Sequence, residues 1–230
     1  MKTIGLVGGM SWESSSEYYK IINKTVKERL GGLHSAKCIL YSVDFEEIES
    51  LQHQGRWEEL TKLMINFTQQ LERAGADFIV ICTNTMHKMA GEVQNNIDIP
   101  ILHIADATAE KVIEQGLRKL GLLGTKFTME EDFYKRRLKE KYNINVIIPS
   151  DTDRAIIDSV IYNELCLGII RQSSKEKFKE IIKKLILIGA DGLILGCTEI
   201  PLLISQEDVK VPLFDTTTIH SKAAVEFALK

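Results

Sequence analysis

The sequence has no excess of positive charge: 29 Lys and Arg against 32 Asp and Glu give a formal net charge of −3, with the two signs interleaved. Without a basic block, nothing neutralises a row of phosphates, so nucleic acid is not an expected partner. No run approaches the roughly 18 consecutive apolar residues of a membrane helix. The first residues, Met1 to Val7, enter an apolar strand at once, too short for the core of an export signal. The expectation is a cytoplasmic chain with no membrane partner. The four cysteines, at positions 38, 82, 166 and 197, form no C-x-x-C pair and have no histidine at zinc spacing. Neither a metal nor a disulfide framework is expected, and in a reducing compartment each cysteine is a free thiol. Gly5-Leu6-Val7-Gly8-Gly9 follows a strand but misses the G-x-G-x-x-G pattern, and no Walker loop occurs, so no nucleotide cofactor is expected.

What is present is an ordinary globular composition, 44% apolar and 27% charged, in a strict alternation. Val-, Ile- and Leu-rich runs at 3–8, 36–43, 77–82, 99–103, 119–124, 144–148, 191–196 and 211–214 are separated by longer stretches of helical period. That order predicts an α/β fold with a mostly parallel sheet covered by helices. The chain also matches itself at an offset near 115 residues. Ile4-Gly5-Leu6-Val7-Gly8-Gly9 corresponds to Leu120-Gly121-Leu122-Leu123-Gly124-Thr125, Gly75-Ala76-Asp77 to Gly189-Ala190-Asp191, and Ile99-Pro100-Ile101-Leu102 to Val211-Pro212-Leu213-Phe214. Three matches in one order predict two pseudo-symmetric, Rossmann-like, three-layer halves: 1–102 with 211–230, and 103–210. The last helix, from Thr216, is expected to return to the first half. Ligands of open α/β sheets sit beyond the carboxyl ends of the strands, which directs attention to a cleft between the halves. Four loops would surround it: Gly8 to Ser11, Cys82 to Thr85, Gly124 to Lys126 and Gly196 to Glu199.

Cys197 closes a strand and opens a turn, a placement that can lower a thiol pKa from about 8.5 into the range of roughly 3.5 to 7.5. It lies eight residues after Gly189, and the residue eight after Gly75 is Thr83, whereas Cys82 is seven after. One residue of shift turns a strand side chain to the opposite face. Thr83 is therefore the counterpart of Cys197, with Cys82 the alternative should the preceding turn absorb the extra residue.

The runs Gly8-Gly9-Met10-Ser11-Trp12-Glu13-Ser14, Cys82-Thr83-Asn84-Thr85-Met86-His87 and Gly196-Cys197-Thr198-Glu199-Ile200 resemble the aspartate/glutamate racemase superfamily over essentially the whole length. They are most similar to its bacterial L-aspartate/glutamate-specific and broad-specificity amino-acid racemases. Members typically carry Cys-Asn-Thr in the first half and Gly-Cys-Thr-Glu in the second; here Thr83-Asn84-Thr85 stands in the first position. The resemblance implies an amino-acid racemase without pyridoxal phosphate or other cofactor, with Thr83 and Cys197 as its acid/base pair. Dimers are common in similar proteins, and a homodimer is compatible with the sequence. Several aspartate racemases bind the side-chain carboxylate with an Arg and a Lys, but Ile48 to Gln54 and Glu164-Leu165-Cys166 offer no such clamp. Resemblance makes Gln52 the expected side-chain contact, ahead of Arg56.

Racemisation removes a proton from one face of Cα and delivers another to the opposite face, so an acid and a base must flank the substrate. Without a pyridoxal sink, charge growing on the α-carboxylate needs fixed donors. Backbone N–H groups at helix starts, with Ser11, Asn84, Thr85, Thr125 and Thr198, fit that need. Glu199 suits the substrate ammonium or, equally, a helix N-terminus. Met10 and Trp12 are candidate walls, and His87 is read as a support for the helix that follows it, with His103 of similar standing. Two other readings remain: a different reaction on the same scaffold, such as hydantoin racemisation, maleate isomerisation or malonate decarboxylation, and a binding protein without turnover.

Overall fold

The computed structural model describes all 230 residues. The chain divides into two compact units, Met1–Ile104 with His220–Lys230, and Ala105–Ile219. The first unit opens with β1 (Ile4–Gly8), α1 (Trp12–Leu30), β2 (Cys38–Ser42), α2 (Phe45–His53), α3 (Trp57–Arg73) and β3 (Phe78–Ile81). A 3-10 turn over Thr85–Met89 leads into α4 (Ala90–Gln94) and β4 (Ile101–Leu102). Helix α5 (Ile104–Glu114) carries the chain on to β5 (Lys119–Gly124), α6 (Lys126–Glu130), α7 (Asp132–Tyr142), β6 (Asn145–Ile147), α8 (Asp151–Asn163), α9 (Gln172–Leu187) and β7 (Gly192–Gly196). After a 3-10 turn at Ile200–Leu202 come β8 (Leu213–Asp215) and α10 (Thr216–Leu229).

Each of the eight apolar runs forms a strand, because β-branched and leucine side chains suit a sheet buried on both faces. The strands pair only in parallel, in two four-stranded sheets of order β2-β1-β3-β4 and β6-β5-β7-β8. The second order is the first repeated, as the internal sequence match requires. One boundary differs from the sequence expectation: 211–219 belongs to the second unit, because Leu213, Phe214 and Asp215 pair with Leu193, Ile194 and Leu195. The final helix does return to the first half, where Ala224, Val225 and Ala228 pack with Ile4, Leu6, Phe78 and Val80.

Alternation along β3 separates the two faces of the first sheet. Phe78 and Val80 point to Tyr18, Ile22 and Val26 of α1, and Ile79 and Ile81 to Leu60, Met64 and Leu71 of α3. Helix α3 buries Leu60, Met64, Phe67 and Leu71 at i, i+4, i+7 and i+11, the stripe that commits a helix to one side of a sheet. In the second sheet, a Cβ placed on Gly121 would lie 2.6 Å from Leu193 and 3.1 Å from Leu185 of α9. Leu193 therefore faces α9 as Ile79 faces α3.

Candidate active site

In the first half the β1 loop turns at Gly9, with φ of +92°, where an added Cβ would run into the Val43 carbonyl oxygen; only glycine fits. The Gly9 N–H donates to Ser15 Oγ at 2.7 Å, and Ser15 Oγ donates to the Ser11 carbonyl at 2.9 Å. Ser11 caps α1, its hydroxyl accepting from the Ser14 N–H at 3.4 Å, and the Met10–Ser11 peptide is cis. Met10 is buried with the α3-side core, whereas Trp12 is 67% exposed and is no part of any wall within this half. Gln52 is buried on α2, and its amide donates to Met86 Sδ at 3.1 Å, so it packs on the turn that follows Thr83-Asn84-Thr85. Arg56 is turned away into an exposed ion pair with Glu59 at 2.6 Å.

The β3 loop separates Cys82 from Thr83. Cys82 is fully buried among Ile4, Leu6, Tyr18 and Val80 on the α1 side of the sheet, and burial pushes its thiol up. Thr83, one residue on, is half-buried, while Asn84 and Thr85 are buried beside it. His87 is buried too; its Nδ1 lies 2.8 Å from the Thr83 carbonyl. His103 is also buried, its ring centroid 4.6 Å from that of His87.

In the second half Thr125 caps α6, accepting from the Thr128 N–H at 3.3 Å. Gly124 and Gly196 lie where β5 and β7 approach so closely that a Cβ on Gly124 would come within 2.8 Å of the Gly196 carbonyl oxygen. Cys197 follows directly and is only 7% exposed. Its Sγ donates to Glu199 Oε2 at 3.0 Å, and Thr198 Oγ1 donates to the same oxygen at 2.8 Å. The expectation of a lowered thiol pKa is overturned: burial raises it well above the ordinary value, and the Glu199 carboxylate, then Cys166, raise it further. The protein as described thus holds a protonated Cys197 beside a buried carboxylate.

The sheet registers relate the two loops independently of any sequence count. Val7 pairs with Ile81 and Leu123 with Leu195, so one step on, Gly8 stands level with Cys82 and Gly124 with Gly196. The next residues are Thr83 and Cys197. Each lies two residues on from a strand position that faces the preceding helix, Ile81 after Ile79 toward α3 and Leu195 after Leu193 toward α9.

The Asp/Glu/hydantoin racemase family matches residues 7–224. The chain belongs to this family. Among its racemase relatives, the broad specificity amino-acid racemase RacX of Bacillus subtilis is 25% identical over 230 aligned positions, 96% of either chain. A structure from Yersinia pestis assigned as an Asp/Glu racemase is 55% identical over the full length of both chains, with a TM-score of 0.94. An aspartate racemase homologue from Pyrococcus horikoshii OT3 is 38% identical, again over both full lengths, with a TM-score of 0.86. Within this racemase scaffold no group of three or more His, Cys, Asp or Glu side chains is gathered to hold a metal ion, and no helix is long and apolar enough to cross a membrane.

Two contacts escaped the sequence reading. The Cys197–Glu199 pair sits at i and i+2, a spacing with no regular-structure meaning that only a turn makes adjacent. The Thr83–His87 tie sits at i and i+4, a helical spacing that could have been read as contact between the two.

Proposed function

We propose that the protein is a cofactor-independent amino-acid racemase that interconverts the L- and D-forms of aspartate, glutamate or a broader set, with Thr83 and Cys197 exchanging hydrogen on opposite faces of Cα. The observation that supports this reading is the register: one step beyond the level of Gly8 and of Gly124 on the neighbouring strands stand Thr83 in one half and Cys197 in the other. Cys82 is the weaker choice, because it is fully buried on the α1 side of its sheet. Ser11, Asn84, Thr85, Thr125 and Thr198, with the N–H groups at the starts of their helices, are the donors for an α-carboxylate whose charge grows as Cα loses its proton. In this reading Gln52 meets the substrate side chain and Met10 bounds it.

Glu199 has a role beyond binding the ammonium. With Cys197 protonated at rest, the thiol must lose its proton before it can act as a base, and Glu199 Oε2 at 3.0 Å is the acceptor in reach. The Sγ–H proton passes to Glu199, the thiolate takes the Cα proton, and the Thr83 hydroxyl gives its proton to the opposite face. Water then reprotonates the Thr83 alkoxide, and Glu199 releases its proton to solvent. A hydroxyl is a far weaker acid than a thiol, so Thr83 donates to a carbanion more readily than it abstracts. The two directions therefore differ in rate and Michaelis constant. Their equilibrium ratio stays at one, since enantiomers have equal free energy.

Replacing Thr83 by Cys tests the assignment. The slow direction should accelerate by roughly 10- to 100-fold, the scale of matching an acid/base group to its task. An unchanged slow direction would remove Thr83 from the mechanism.

A further inference from the structure

His87 is joined to Thr83 by a bond whose direction is fixed. The Thr83 carbonyl can only accept, so His87 Nδ1, 2.8 Å away, carries the proton. The other ring nitrogen, Nε2, accepts the Ile104 N–H at 3.2 Å and so carries none. Both contacts demand one neutral tautomer, Nδ1–H, of a ring that is only 3% exposed. The backbone around it is tight as well: the His87 N–H donates to the Asn84 carbonyl at 3.1 Å in the 3-10 turn, while the side chain reaches back to residue 83.

Two further imidazoles box the ring in. His103 lies 4.6 Å away between centroids at an interplanar angle of 56°, and His220 lies 5.8 Å away at 64°. His220 is locked in the opposite tautomer: Nε2 donates to the Leu102 carbonyl at 2.8 Å, and Nδ1, 2.9 Å from the Tyr18 hydroxyl, accepts from it. Burial brings the His220 pKa down to about 4, so it stays uncharged beside His87. No carboxylate takes part in these contacts. Such a setting holds an imidazole in place and suits it poorly for carrying charge.

We infer that His87 is a positioning residue for Thr83: its neutral ring ties the Thr83 peptide to the start of α5 and thereby fixes where the Thr83 hydroxyl points. It exchanges no hydrogen with the substrate. The inference rests on the reading of Thr83 as one of the two acid/base groups. Because threonine is stiff at χ1, the orientation of its peptide largely decides where its hydroxyl points. A proton donor works only when held within a fraction of an ångström of its path, and a misplacement of about 1 Å can cost on the order of 100-fold.

The test compares His87→Asn, whose amide nitrogen takes the place of Nδ1, with His87→Leu, which has no donor. Racemisation in both directions and deuterium uptake at Cα of the recovered substrate are measured in deuterated water. His87→Leu should lose roughly 10- to 100-fold in kcat, with KM within about twofold. Deuterium uptake into the enantiomer that Cys197 deprotonates should persist, since the thiol still works alone, and His87→Asn should recover most of kcat. Equal loss of exchange and racemisation in both variants would overturn the inference by making His87 a merely structural residue. A ring spectrum of the wild-type protein that resolves the nitrogen-bound protons supplies a check independent of any variant: a proton on His87 Nε2 contradicts the inference. Failure of the racemase reading looks different, for then the wild-type protein itself neither exchanges nor racemises any amino acid.

Discussion

Cys197 and Glu199 form a hydrogen-bonded thiol–carboxylate pair two residues apart, and neither their sequence spacing nor the general chemistry of strand-end thiols shows it. A cysteine at a strand-to-helix turn is expected to be acidified by the backbone dipoles around it. Here the following 3-10 turn, Ile200–Leu202, is too short to supply much of a dipole, and the buried Glu199 carboxylate points at the sulfur. Burial first, and then the neighbouring charge, keep the thiol protonated. Because a negative neighbour disfavours the thiolate, Glu199→Gln should move the titration of Cys197 to lower pH. Thiolate absorbance followed against pH, with Cys197→Ser subtracted to remove the other three cysteines, reads that shift directly. A titration unmoved or raised by the substitution would mean that the carboxylate is not the neighbour that matters. The same comparison explains what residue counting can reach: the equivalence of Thr83 and Cys197 in position was legible because strand register is strictly periodic, whereas the partners of Cys197 and Thr83 depend on turn geometry, which has no period.

At the scale of elements, β1 and the turn after it carry the burden of placing Met10 and Ser11 next to the β3 loop. Gly9 is the hinge of that turn, with positive φ and its missing side chain facing the Val43 carbonyl. Gly55 also has positive φ, +70°, yet an added Cβ there meets nothing within 4 Å. Comparing Gly9→Ala with Gly55→Ala separates contact from backbone strain. Gly55→Ala should cost about 1 kcal/mol, the strain of a positive φ alone. Gly9→Ala should cost roughly 1–3 kcal/mol more, because Val43 or the loop must move, and should raise KM through displaced Ser11. Urea unfolding and substrate saturation measure both; equal stability losses in the two variants would show that the turn yields without effort. All eight strands were readable as apolar runs, since burial on both faces leaves the central strands β1, β3 and β7 no polar positions and the others few. The exception in assignment, β8, was readable as a strand but not as a member of the second sheet: its echo of β4 marked it as a fourth strand, yet its place near the carboxyl end suggested a return to the first half. Pairing with β7 decides the matter.

For the molecule as a whole, the repeat is the organising fact. Two sheets of the same strand order each present a pair of loops at the carboxyl ends of their central strands, Gly9 to Ser11 with Thr83 to Thr85, and Thr125 with Cys197 to Glu199. Racemisation asks for two groups acting on one stereocentre from opposite sides, and the proposed pair, Thr83 and Cys197, draws one group from each copy. The copies differ at the equivalent positions: Thr83, whose carbonyl accepts from His87, in one half, and Cys197, beside the Glu199 carboxylate, in the other. The most direct measurement follows the hydrogen at Cα during the first turnovers in deuterated water, starting from each enantiomer of aspartate, glutamate and a panel of other amino acids. Two acid/base groups give product that carries solvent deuterium from the earliest time point, in both directions and at unequal rates. Product that retains its original protium, as a single group returning the same proton would give, or an absence of exchange with every amino acid, would contradict the account.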